Sequence, residues 1–166
     1  MTRTNPPYAA DERTMLVAFL DYYRETMLIK LDGLTEDQAR WTPAPTSNSL
    51  ISMVQHLAWV ERWWFAQCFA GIQLDDPPGS DEDPDADFRV PADRSGPEVA
   101  AFYRAEWERA NTVILGAASL DDDSKVAARG SPRSLRWIVL HMIEETARHA
   151  GHADITRELI DGSVSD

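Results

Sequence analysis

The chain carries four histidines, and three of them fall in one run, His141-Met142-Ile143-Glu144-Glu145-Thr146-Ala147-Arg148-His149-Ala150-Gly151-His152. At about 100° per residue, a helix over this run gathers His141, Glu145, His149 and His152 within an arc of roughly 80°. Glu145 and His149 are four apart, so their side chains converge on one point beside the helix. His56 stands in a mostly apolar stretch, Met53-Val54-Gln55-His56-Leu57-Ala58-Trp59, where an ionisable group needs a partner. Two imidazoles and one carboxylate suit a divalent transition metal, either zinc with an open position or iron in a facial triad. An i,i+4 pair joined by a remote third ligand is also how helix bundles build metal sites. The same residues are compatible with an exposed Glu–His ion pair and a satisfied core histidine, and spacing alone leaves both arrangements open.

Four long helices must position these side chains. The first is expected from about Ala9 to Leu31, with Leu16, Phe19, Leu20, Tyr23, Met27 and Leu31 at three- and four-residue spacing. Gly33 stops it, and Thr35-Glu36-Asp37-Gln38 reads as a capping box that opens one short turn. Pro43 and Pro45 precede a second helix near Ser49 to Ala70, apolar around most of its circumference and therefore mainly internal. A third runs from about Pro97 through Leu115. Ser131-Pro132 supplies an N-cap and first turn for the fourth, which continues to Gly162. These pieces make an all-α, single-domain four-helix bundle over residues 1–166.

Between the second and third helices, residues 71–96 hold eight acidic residues and four prolines against two arginines, with no sustained period. That composition predicts an acidic surface loop, read as a solvated connector in preference to an acidic docking site. Its 26 residues can extend roughly 85 Å, enough to run back along a helix and start the next one parallel to it. An up-down-down-up order is thereby permitted, though not required.

Composition narrows the function. The chain has 166 residues, 28 of them acidic and 16 basic, for a formal net charge of −12. So acidic a body repels phosphate backbones and anionic headgroups, which argues against nucleic-acid or membrane-surface partners. Cys68 alone excludes an internal disulfide or a cysteine-rich zinc site, and it reads as a core residue. Neither a signal peptide nor a membrane span is expected, so the expected location is cytoplasmic.

The sequence resembles the DinB-like superfamily, in its branch of mycothiol-dependent enzymes. The likeness rests on a Tyr/Arg-rich middle of the first helix, on His-Leu-Ala-Trp-Val-Glu at 56–61, and on Glu-Glu-Thr-Ala-Arg-His-Ala-Gly-His-Ala-Asp at 144–154. The resemblance implies an up-down-down-up bundle and a divalent metal, zinc or nickel, on His56, Glu145 and His149. Many relatives have histidine at the place of Glu145; this chain is similar to the subgroup with glutamate there, which includes the mycothiol-dependent maleylpyruvate isomerase. It also implies a homodimer.

Around the three ligands, His152 is expected to orient a ligand, with a fourth-ligand or substrate role as alternatives. Arg148 points about 60° off the site and is expected to pair with an acid or to hold a substrate anion. His141 reads as flanking packing. Trp59, Trp63, Trp64, Trp107 and Trp137 read as core or dimer face, with a pocket wall the minority reading. The implied activity is a metal-dependent transferase, with mycothiol as cosubstrate, that joins a small thiol to an electrophile. Activation of water by the same ligands gives the alternative of a metal-dependent hydrolase, and a non-catalytic interaction bundle is the third.

Overall fold

The computed structural model describes residues 3–75, 79 and 83–164. Glu12–Leu31 form α1, capped by the Asp11 carboxylate, which accepts from Thr14 N at 3.1 Å. A capping box of Thr35 and Gln38 opens the short α2, Glu36–Arg40. Leu50–Glu61 form α3, opened by Ser49 and Ser52 in a second capping box. Ser95 and Glu98 do the same for α4, Gly96–Gly116, and Leu135–Asp161 form α5. No strand occurs among the described residues.

Side-chain contacts fix the directions. Arg136 at the start of α5 meets Glu12 at the start of α1 at 2.6 Å, and Lys30 near the end of α1 meets Asp154 at 2.9 Å. These two helices therefore run parallel. Trp59 packs on Phe102 and Arg62 reaches Glu106, so α3 and α4 are parallel as well. His56 lies opposite Glu145 while Trp64 lies opposite Trp137, which sets α3 against α5. The result is up-down-down-up, with the 71–96 segment crossing from the end of α3 to the start of α4.

Two apolar clusters fill the bundle. One gathers Met27, Leu31, Leu50, Val54, Leu57, Val99, Tyr103 and Ala153; the other gathers Leu20, Phe65, Ile114, Leu135, Ile138 and Met142. Burying each of the Leu, Ile, Val, Met and Phe side chains among them contributes about 1.5–3 kcal/mol. Along α1 and α3 the boundary between them is an ion pair with no solvent contact. Arg24 grips Glu61 with two bonds, Nε to Oε1 at 2.8 Å and Nη2 to Oε2 at 2.7 Å. Its Nη1 donates to Asp21 and Asn111, both at 2.8 Å.

The structure departs from the expected helices at two ends. The second helix is not α-helical to Ala70: Arg62–Phe69 form a π-helix, in which Ala70 N donates to Phe65 O, five residues back, at 3.0 Å. Its last carbonyls, Cys68 and Phe69, accept from Val126 N (3.0 Å) and Lys125 N (3.2 Å). The fourth helix does not start at Ser131-Pro132. Arg129 and Gly130, at φ 50° and 84°, turn the chain so that Ala128 and Ser131 pair, and Arg133 O accepts from Ser124 N at 2.8 Å. With that backbone engaged, the cap falls to Ser134, whose hydroxyl accepts from Trp137 N at 3.3 Å. Ser134→Ala is expected to cost about 1 kcal/mol and Ser131→Ala less than half of that, read from urea midpoints.

Candidate metal centre

The apolar faces that build the bundle press α3 against α5, and this brings His56, Glu145 and His149 together. One donor atom from each lies within 4.8 Å of the other two. Glu145 Oε1 stands 3.1 Å from His149 Nε2 and 3.4 Å from His56 Nε2. Donors about 2.0–2.2 Å from a tetrahedral cation sit roughly 3.4 Å apart, so these separations fit a shared ion with little movement. His149 Nδ1 is buried without a hydrogen-bond partner among the described residues, a costly state for an imidazole nitrogen unless something beyond the chain satisfies it. Hydrogen bonds from His149 and His56 hold the Glu145 carboxyl well below the usual range, against the opposing effect of burial and with help from Arg148. It is therefore a carboxylate, the form that binds cations.

The centre forms the floor of a cavity of about 840 Å³. One wall is the turn before α3, Pro45 to Asn48. Another is the crossover segment, Asp85, Phe88 and Arg89, and Arg148 stands on the rim. Such a space admits a small organic ligand.

Arg148 is half exposed and pairs with Glu144 and with Glu145, the acid partner expected of it. His152 does not join the cluster; it is exposed, and its ring meets that of His149 edge-on at 6.0 Å. His141 packs instead on Trp137 (5.1 Å, nearly parallel) and Trp64. Cys68 is buried, with Sγ 3.3 Å from Val126 O. Among the described residues that line the cavity there is no tryptophan; Trp59 lies on Phe102, and Trp107 on Arg24.

The reading of 71–96 as a solvated connector needs correction over its second half. Ala86–Phe88 form a short 3-10 turn that docks on α3. Asp87 Oδ2 lies 2.8 Å from His56 Nδ1, and the Phe88 ring stacks on the His56 ring at 3.9 Å and 12°. Gln55 Nε2 donates to Asp87 O and Arg89 O at 2.9 and 3.1 Å, which ties the turn to the helix. Burial pushes the affinity of His56 for a proton down, but Asp87 and Glu145 outweigh it and leave the pKa above the ordinary 6.5. A sign of this docking was present in the sequence: Phe88 is the sole aromatic residue between 71 and 96, and a large apolar ring in an acidic run seeks a surface to cover.

The sequence matches the family model described as Mycothiol-S-transferase over residues 15–162. A solved structure, titled as the crystal structure of the conserved protein of locus from Enterococcus faecalis, aligns with a TM-score of 0.68 at 20% identity. The alignment covers 93% of this chain and 100% of that one, a likeness of fold. No curated protein matches the sequence.

Proposed function

Because the chain belongs to the mycothiol S-transferase family, we propose that it joins mycothiol to an electrophile at a divalent metal held by His56, Glu145 and His149. The observation that carries this reading is the convergence of those three donors at the floor of an open cavity, where a ligand can reach them. A bound zinc or nickel ion would lower the pKa of a coordinated thiol and hold its sulfur as the nucleophile.

The chain's own residues supply the rest. With His56 and His149 as neutral donors and Glu145 bringing one negative charge, a divalent ion held there would keep a net positive charge suited to an anionic sulfur. Glu145 is fixed from its far side by Arg148, which leaves Oε1 aimed between the two imidazoles. The Arg148 guanidinium on the rim draws anionic parts of either substrate towards the cavity. Hydrogen-bonding groups of Thr46, Ser47 and Asn48 line the opposite wall and can orient a polar thiol. In the reaction the thiol loses its proton, a carbon–sulfur bond forms, and the electrophile's leaving group departs.

The test is a conjugation assay with mycothiol and a fluorogenic alkyl bromide. Product should require both the thiol and the metal, and a chelator should abolish it. Turnover of the electrophile without thiol would indicate a hydrolase, and full activity in chelated protein would overturn the metal role.

A further inference from the structure

The crossover segment does more than connect helices. We propose that Asp87 is a positioning residue for the metal centre, locking the His56 imidazole with Nδ1–H on its carboxylate and Nε2 turned towards Glu145. This role rests on the reading of His56, Glu145 and His149 as ligands.

A histidine on a helix can rotate about two side-chain bonds, and either ring nitrogen can carry the proton. Three contacts remove that freedom here. Asp87, at 2.8 Å, is the nearer of the two carboxylates on the ring (Glu145 is 3.4 Å from Nε2), so with Nε2 given to a cation the proton is held on Nδ1, since a carboxylate only accepts. Stacking of Phe88 at 3.9 Å fixes the plane of the ring. The two bonds from Gln55, the residue just before His56, hold the turn that carries both Asp87 and Phe88. Carboxylate, ring plane and helix are thus set against one another by residues 55–56 of α3 and 87–89 of the turn.

The partner carboxylate is itself enclosed. The Asp87 side chain is 13% exposed, and its Oδ1 is buried without a hydrogen-bond partner among the described residues. A carboxylate held in this way is costly unless positive charge lies near. The Arg89 guanidinium supplies part of it; a cation on the far nitrogen of His56 would add to it, polarising the imidazole and strengthening the Nδ1–H bond to Asp87, while Asp87 in turn makes His56 a better donor. An exposed surface ion pair would show neither the ring stack nor the enclosure.

The test compares wild type, Asp87→Asn, Asp87→Glu and Phe88→Ala by zinc affinity, measured in competition with a chromophoric chelator, and by the absorption spectrum of the cobalt-loaded proteins. Asp87→Asn should weaken zinc binding about 10–100-fold and change the cobalt spectrum, with partial recovery in Asp87→Glu. The metal-free Tm of Asp87→Asn should stay within about 3 °C of wild type, which separates positioning of a ligand from general support of the fold. Wild-type affinity and spectrum in Asp87→Asn would overturn the positioning role alone. Failure of the wild type to bind zinc or cobalt would instead overturn the ligand set, and this role with it.

Discussion

Glu145→Gln should lower kcat/KM for thiol conjugation by about 100-fold or more and leave the bundle folded. Loss of a residue that only orients a metal ligand typically costs 10–100-fold, and removal of a ligand's charge costs more than that. Glutamine keeps the shape and one oxygen, so packing between α3 and α5 is little changed. What disappears is the negative charge between His56 Nε2 and His149 Nε2. Added zinc or nickel should restore part of the rate, because both imidazoles remain; added thiol should not. Circular dichroism would show the helices intact, so lost activity reports on the centre. Unchanged kcat/KM would show that the reaction does not use this carboxylate.

The largest stability effect is expected far from the cavity. Arg24→Met leaves Glu61 without its bidentate partner at a position with no solvent contact. Breaking one side of such a pair costs about 3–5 kcal/mol. At about 2–4 °C per kcal/mol for a domain of this size, the fall in Tm is roughly 6–20 °C. The pH dependence follows from the orphaned carboxyl. Burial raises the Glu61 pKa, and without Arg24 only the Tyr103 hydroxyl is left to oppose it. The folded variant then binds a proton more tightly than the unfolded chain does, so its deficit shrinks as pH falls towards the carboxylate range and grows as pH rises. The double variant Arg24→Met/Glu61→Leu should recover most of the loss, since an apolar pair of similar volume fills the gap between the two clusters. A Tm within 2 °C of wild type for Arg24→Met would show that solvent reaches this pair, at odds with its enclosure.

The bundle was legible because its signals are local. Capping boxes at Thr35 and the proline after Gly96 mark helix starts, and three- and four-residue spacing of Leu16, Leu20 and Met27 marks the inner face of α1. The same periodicity placed Glu145 and His149 side by side. Bringing His56 to them was beyond spacing, since nothing local relates residues 89 apart; the resemblance suggested it and the packing of α3 on α5 produces it.

Other features are tertiary and left little trace. The π-helical end of α3 depends on carbonyl partners at Lys125 and Val126, more than 50 residues away. Ser131-Pro132 is a sound local start signal, overridden because residues 120–124 engage the backbone of Arg133, Leu135 and Arg136. Asp87 was one acid among eight in its segment, and only a neighbouring histidine distinguishes it. Nothing local relates Arg24 on the first helix to Glu61 on the second, 37 residues on; their mutual burial appears only once the helices pack.

Elemental analysis of the purified protein, beside His56→Ala and His149→Ala, bears most directly on whether the three side chains share an ion. The native chain should carry one equivalent of a divalent transition metal, and both variants should lose it while keeping their helical content. A full equivalent retained in either variant, or native protein that takes up no such ion at micromolar concentration, would contradict the assignment.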